Sequence, residues 1–220
     1  HQACRFARLH ESCRDSEAFL VGHGPIARVS SIPNDYLTAG VGSILHHETT
    51  IYARLDALAR QITEDYRGHD LTTLAILDGS MIFMADLLRR IPLPLSMESL
   101  NVSSYHGGTE SSGTVTFNQH TLPDLRGKHV LVLDDILDTG RTLHAIRERI
   151  VAEMAPASFK VCVLLQKDKV RAKQVEADYV GFEIGDEFVV GYGLDYQGHY
   201  RNLPYIAVLN EAGIQAVTGS

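Results

Sequence analysis

Asp134 and Asp135 stand side by side at the end of an apolar run, and Asp138 follows three residues later, within VLVLDDILDTGRT, residues 130–142. Val130 to Leu133 have the continuous aliphatic character of a strand covered on both faces. The carboxylates therefore fall at the carboxyl end of such a strand, where open α/β sheets hold their ligands. Thr139, Gly140, Arg141 and Thr142 come next, at the start of a helix. Its unpaired N–H groups and positive dipole end favour a phosphate. One short loop thus offers acids for sugar hydroxyls or a cation, and amides for a phosphate, a pairing that suits a phosphorylated ribose. The same residues have a plainer use. Asp at a strand end is an ordinary turn former, and Asp138 is placed to cap the helix that follows.

The elements that must position these residues are legible in the hydrophobic spacing. Ile51, Leu55, Leu58 and Ile62 recur at steps of four, three and four, which predicts an amphipathic helix over residues 50–67 ended by Gly68. Leu71–Leu77 reads as a short apolar strand. Residues 80–90 read as a helix with Met81, Met84, Leu87 and Leu88 on one face and Pro92 beyond its end. Residues 95–104 suggest a strand leading into a polar loop, 105–114, which carries three glycines and should be mobile without ligand. The central strand is Lys128–Asp135. The helix after it turns Leu143, Ile146, Ile150 and Met154 inward before Pro156. A strand over 159–165 follows, then short ones near 179–182, 187–191 and 205–209. Strands alternating with helices of this length predict βαβ units, and hence an α/β fold with a mostly parallel central sheet flanked by helices.

Composition bounds the partners. With 220 residues the chain fits one domain with a sizeable core, and 45% hydrophobic and 21% charged residues are ordinary for a globular protein. Its 27 acids against 20 bases, net charge -7, argue against a nucleic-acid binder. No apolar run approaches the roughly 20 residues of a membrane span, so no membrane partner is expected. The three cysteines, Cys4, Cys13 and Cys162, form no regular framework and read as reduced thiols of a cytoplasmic protein. Cys162 lies in an apolar strand and reads as core. Cys4 and Cys13, with His1 and His10 nearby, lack a second ligand pair at zinc-site spacing. Residues 1–35 carry Arg5, Arg8 and Arg14 but also Glu11, Asp15 and Glu17, against an import peptide, which is poor in acids.

Residues 130–142 resemble the loop that binds 5-phosphoribosyl diphosphate (PRPP) in the purine phosphoribosyltransferases. FVVGYGLDYQGHYRNLPYIAVL, residues 188–209, resembles the hypoxanthine-guanine phosphoribosyltransferase signature almost word for word. Ser103-Ser104-Tyr105 followed by HGGTESSG resembles that family's mobile catalytic loop, and Leu77-Asp78-Gly79-Ser80 its first diphosphate loop. The resemblance covers residues 36–210. It implies the type I phosphoribosyltransferase fold, with the C-terminal part and some N-terminal chain forming a small hood over the sheet edge. Residues 1–35 then remain an extension of unknown role, and 211–220 a tail.

The activity this resemblance implies is transfer of the 5-phosphoribosyl group from PRPP to hypoxanthine or guanine, in purine salvage. Asp134 and Asp135 would bind the ribose hydroxyls directly or through hydrated Mg2+. Thr139, Gly140, Arg141 and Thr142 would cradle the 5-phosphate, chiefly by backbone. Asp138 would act as general acid–base at purine N7. Gly79 and Arg201 would serve the diphosphate, with Ser104 and Tyr105 closing over the reaction centre. Lys167 would donate to the exocyclic O6, with Lys169 close by in sequence. Phe188 would stack on the base, its alternative being a plain core aromatic. The backbone of Val189 would read the Watson–Crick edge, and Asp195 would take a second Mg2+. A homodimer or homotetramer is implied by family habit.

One residue departs from the pattern. Asp78 stands where family members often carry a basic residue, so contact with the diphosphate would come from backbone N–H groups and Gly79. A non-proline cis peptide would fall at Leu77–Asp78. Three other readings remain to be weighed. They are a preference for xanthine, a regulatory relative that binds RNA, and a degenerate protein that binds without catalysis. Charge and the intact Lys167, Phe188 and Asp195 oppose the second, and the three acids of the loop oppose the third.

Overall fold

The computed structural model describes residues 40–104, 115–118 and 122–218. The extension 1–35, with its Cys, His and Arg residues, and the expected loop 105–114 lie outside the described residues. The order of elements is β1 (Val41–His46), α1 (Glu48–Asp65), β2 (Leu71–Leu77), α2 (Met81–Leu88), β3 (Leu95–Ser104), β4 (Val115–Phe117), β5 (His129–Leu137), α3 (Arg141–Met154), β6 (Ser158–Lys167), β7 (Tyr179–Ile184), β8 (Val189–Val190), β9 (Ile206–Leu209) and α4 (Glu211–Thr218).

Six strands form one sheet in the order β4-β3-β2-β5-β6-β7, parallel from β3 to β7, with β4 antiparallel at the edge. The chain leaves β2 toward one side, through β3, and returns to the other side of β2 for β5. Strand order therefore reverses between β2 and β5, and a crevice opens outside their carboxyl ends. Successive side chains of a strand face opposite ways, and β5 uses both faces. Leu131 and Leu133 pack with Ile51, Leu55 and Leu58 of α1 and Phe83 and Leu87 of α2. Val130 and Val132 pack with Leu143, Ile146 and Ile150 of α3. Helices on both sides explain why the strand reads as an unbroken apolar run. Cys162 is fully buried in the same core, as its sequence context predicts.

A second, three-stranded antiparallel sheet, β1-β9-β8, joins N-terminal chain to C-terminal chain as the hood expectation requires. Its small core is Val190, Leu203 and Leu209, with Val41 and three tyrosines packed against it. Residues after 210 do not trail off but form α4. Asn210 Oδ1 accepts the Gly213 N–H at 2.8 Å, the ordinary N-cap bond.

Two expectations are corrected. The helix after β2 buries Phe83, Leu87 and Leu88, whereas Met81 is 47% exposed. Two residues turn a helix by about 200°, so Met81 faces away from the stripe that Phe83 begins. The central strand also outruns Asp135 and continues to Leu137, because β6 extends to Lys167 and pairs with it, Ile136 against Leu165 and Leu137 against Gln166. Among the described residues, no helix is long and apolar enough to cross a membrane. Truncating the fully buried Leu131 to Ala should cost about 2–5 kcal/mol of stability, read as a lowered denaturant midpoint with little change in slope.

Candidate active site

The loops after β2 and β5 meet in the crevice. The Leu77–Asp78 peptide is cis, where the resemblance implied it. Asp78 is exposed, and its carbonyl accepts the Met81 N–H at 3.1 Å to open α2. Gly79 lies directly against Asp135: a Cβ at this position would sit 1.8 Å from Asp135 Oδ2. Only a residue without a side chain allows so close an approach.

On β5, Asp134 is 7% exposed, and its Oδ1 accepts the Asp135 N–H at 3.1 Å. Burial pushes the Asp134 carboxyl well above the usual carboxylate range, and repulsion from Asp135 adds to it. Burial raises Asp135 as well, against a hydrogen bond with Asp134 and the positive charge of Arg201. Two crowded acids short of water gain from hydroxyl donors or a cation. Their oxygen-only donor set suits a hard cation such as magnesium. Among the described residues, no three His, Cys, Asp or Glu side chains are grouped to hold a metal alone. A Mg2+ ion there would have to take most of its oxygens from substrate and water.

Beyond Leu137 the chain turns into α3. Gly140 is its N-cap at φ 76°, a left-handed conformation that glycine adopts without a Cβ penalty, and no side chain caps the helix. Asp138 is therefore not the helix cap. The carbonyl of Lys173 would lie 2.6 Å from a Gly140 Cβ, and the Lys173 N–H donates to Thr139 O at 3.2 Å, so the 170s loop braces this turn through its main chain. Arg141 N–H reaches Thr139 Oγ1 at 3.5 Å, and His144 N–H is the amide bonded to Gly140 O, at 3.0 Å. The first-turn amides of Thr142 and Leu143 thus belong to the open helix end.

Asp138 instead meets the end of β6. Lys167, only 7% exposed, brings Nζ to 3.7 Å from Asp138 Oδ2 and 3.2 Å from Asp186 Oδ1. Lys169 approaches the same two carboxylates more closely, at 2.5 Å from Asp138 Oδ1 and 2.8 Å from Asp186 Oδ1. These contacts hold the Asp186 carboxyl below its usual range, with Lys169 the larger cause. Phe188 is 52% exposed and meets Tyr196 edge-on at 5.6 Å, so it is no core aromatic. Val189, in β8, pairs with Val208 on one side only, as an edge strand of the small sheet.

The turn between β8 and β9 is bound to the rest of the crevice. Arg201 pairs with Asp195 at 2.8 Å and donates to Gly193 O at 2.6 Å, while Asp195 Oδ2 accepts the Gly198 N–H at 2.7 Å. Gly193 abuts the Gly79 carbonyl, which a Cβ would meet at 2.1 Å. Tyr192 donates its hydroxyl to the buried Asp86 Oδ2 at 2.6 Å, tying this turn to α2.

Of the residues singled out in the sequence, Gly79, Asp134 and Asp135 come together at one point, and Arg201 acts electrostatically on it. Asp138 and Lys167 come together at another, and Thr139 to Thr142 lie in the turn leading away from Asp138. Asp195 is engaged by Arg201 rather than grouped with the β5 acids. Ser104 closes β3, and Tyr105 lies outside the described residues. Sequence reasoning missed Asp186 and the main-chain role of Lys173. Asp186 has no motif around it, and only the return of β7 beside β6 brings it to the two lysines.

Comparison with known proteins agrees with this geometry. Residues 41–197 match the family model of the phosphoribosyl transferase domain. The chain is 47% identical over 168 residues to the hypoxanthine-guanine phosphoribosyltransferase of Streptococcus pneumoniae, covering 76% of this chain and 92% of that one. With the Staphylococcus aureus protein of the same name, identity is 48% over 152 residues, 69% and 84% of the two chains. A crystal structure of a hypoxanthine phosphoribosyltransferase from Staphylococcus aureus superposes with a TM-score of 0.76 at 43% identity, covering 81% of this chain and 96% of that one. A match of this extent in sequence and fold means that the chain belongs to the phosphoribosyltransferase family, among the hypoxanthine-guanine phosphoribosyltransferases.

Proposed function

We propose that the chain transfers the 5-phosphoribosyl group of PRPP to hypoxanthine or guanine, releasing diphosphate and giving IMP or GMP in purine salvage. The observation that carries this reading is the meeting of Lys167 and Asp138, 3.7 Å apart, beside the acidic tip of β5. A proton-handling carboxylate and an ammonium donor at that spacing suit N7 and O6 of one purine ring. Retention of this pair supports catalysis over a degenerate binding role.

The anomeric bond breaks through an oxocarbenium-like state, with positive charge growing on the ribose and negative charge on the leaving diphosphate. Asp134 and Asp135 hold the ribose hydroxyls, and together they are the residues suited to Mg2+. The ion, when bound, neutralises the diphosphate. The amides of Thr139 to Thr142 take the 5-phosphate, with Arg141 acting through its main chain. Backbone N–H groups around Gly79 and the Arg201 guanidinium face the diphosphate, and the Asp78 carboxylate turns away. Asp195 would join a second Mg2+ only by exchanging Arg201 for it. To Ser104 and Tyr105, by their resemblance to the family's catalytic loop, falls the exclusion of water that would otherwise hydrolyse the activated sugar.

On the base side, the Lys167 ammonium has three donors, and contacts with Asp186 Oδ1 and O at 3.2 and 3.4 Å account for two. The third is left for an exocyclic carbonyl, which hypoxanthine and guanine offer and adenine lacks. A site built to satisfy such a bond rejects the analogue without it strongly. The exposed face of Phe188 stacks on the ring. The unpaired edge of β8 at Val189 offers main-chain groups to the Watson–Crick edge. Asp138 takes or gives the N7 proton. A cytoplasmic location and assembly as a homodimer or homotetramer belong to the same reading.

Labelled PRPP offered with hypoxanthine, guanine, xanthine and adenine should turn over with the 6-oxopurines, and chelation of magnesium should abolish it. Turnover of adenine without hypoxanthine would remove Lys167 from the O6 role, and equal rates with xanthine would widen the specificity. Asp138→Asn should keep PRPP affinity and lose at least about a hundredfold in kcat; an unchanged kcat contradicts its role. The site also carries a stability cost. Asp134 binds its proton more tightly in the folded chain than in the unfolded one, so ionisation at neutral pH opposes folding and that cost fades as pH falls. Asp134→Asn should therefore raise the melting temperature of the ligand-free protein by a few degrees while weakening PRPP binding, as differential scanning calorimetry and a PRPP titration would show.

A further inference from the structure

We propose that Lys169 is a positioning residue for this reaction, holding the Asp138 carboxylate in the orientation from which it meets the purine N7 proton. The inference rests on the reading of Asp138 given above and assigns the next residue outward. Four charges form a closed ring in which signs alternate. Asp138 Oδ1 meets Lys169 at 2.5 Å, Lys169 meets Asp186 at 2.8 Å, Asp186 meets Lys167 at 3.2 Å, and Lys167 returns to Asp138 Oδ2 at 3.7 Å. Around this ring the shorter of the two ion pairs of Asp138 is with Lys169; Asp138 Oδ1 has no hydrogen-bond partner, so Lys169 acts on it through charge and close approach.

Among the described residues, no helix-capping bond fixes the Asp138 carboxylate. The helix that follows is capped by Gly140 with no side-chain bond, so the restraint usual for an Asp at that place is missing. Lys169 is itself anchored. Its main-chain N–H donates to Lys167 O at 3.1 Å, and the Asp168 N–H donates to Ile184 O at 2.9 Å, which ties the turn after β6 to the end of β7. Asp186 then holds the ammonium from the far side. With two carboxylates around it, Asp138 the larger influence, the Lys169 ammonium is held above its ordinary range and remains charged. A flexible four-carbon stem thus becomes a strut between two acids. Lys167 is left to the base, because its approach to Asp138 is the long edge of the ring.

The rival role is direct contact of Lys169 with the purine, as the O6 donor in place of Lys167. The two roles differ in whether Lys169 matters once Asp138 is gone. Steady-state kinetics with hypoxanthine and PRPP on Lys169→Met, Lys169→Arg, Asp138→Asn and the Asp138→Asn/Lys169→Met double variant separate them. Lys169→Met should lower kcat about tenfold, since a misoriented proton-transfer group is costly, with the KM for PRPP unchanged within about twofold. Lys169→Arg, which keeps the charge, should recover most of the loss. On the Asp138→Asn background Lys169→Met should change kcat by less than about twofold. A loss of equal size on both backgrounds overturns the proposal in favour of direct contact. So does an undiminished kcat in Lys169→Met, or an arginine variant as impaired as the methionine one. Should Lys169→Met lose its folded melting transition, Lys169→Gln takes its place in the same cycle. Full activity in Asp138→Asn alone would instead strike the reading of Asp138, a result distinct from a dead Asp138→Asn beside an indifferent Lys169.

Discussion

Asp134 and Asp135 lie near the tip of a strand covered on both faces, and the free energy of keeping their charge there governs what surrounds them. Neighbouring carboxylates repel, and burial denies them the water that would screen that repulsion. The fold offers partial relief through the Asp135 amide on Asp134 Oδ1 and the positive charge of Arg201 on Asp135. It leaves the rest uncompensated. A ligand carrying hydroxyls, or a hard cation, is suited to supply that compensation. Such local cost at a functional centre is common in enzymes whose sites are arranged in advance of substrate.

Backbone approach is the second consequence of that arrangement. The loop after β2 comes so near Asp135 that Gly79 has no room for a side chain, and Gly193 comes equally near the Gly79 carbonyl. Three segments far apart in the chain thus meet main chain to side chain or main chain to main chain. The Gly193–Gly79 contact is the rigid one, because no side chain can rotate away to relieve it. The Tyr192–Asp86 hydrogen bond and the Arg201–Gly193 bond secure the same junction from outside. The β8–β9 turn is thus held directly against the loop after β2.

The lysine–aspartate cluster at the end of β6 works by a different principle. Here the ionic groups are balanced, two lysines against two aspartates. Lys167 is buried, with two of its three donors engaged by Asp186. Phe188 beyond it is uncovered, an arrangement that leaves apolar surface exposed.

The chain's own residues determined the parallel sheet, because apolar runs of strand length alternate with helical periodicity, as in Leu71–Leu77 and the Ile51–Ile62 stripe. They also determined the acidic tip and the glycine turn, which are local in sequence and keep the same chemistry in any fold that makes a strand then a helix. Where spacing alone was read, it failed at Met81, whose side of the helix depends on which stripe the sheet selects; residues 211–218, read only as part of a tail, form the short helix α4. Tertiary structure decided the rest. It ended β5 at Leu137 by pairing it with β6, withdrew Asp138 from helix capping, and set Asp195 against Arg201. It brought Asp186 beside Lys167 and Lys169 through the return of β7. These are long-range pairings, and no local pattern encodes a contact whose partners are joined only by the path of the sheet.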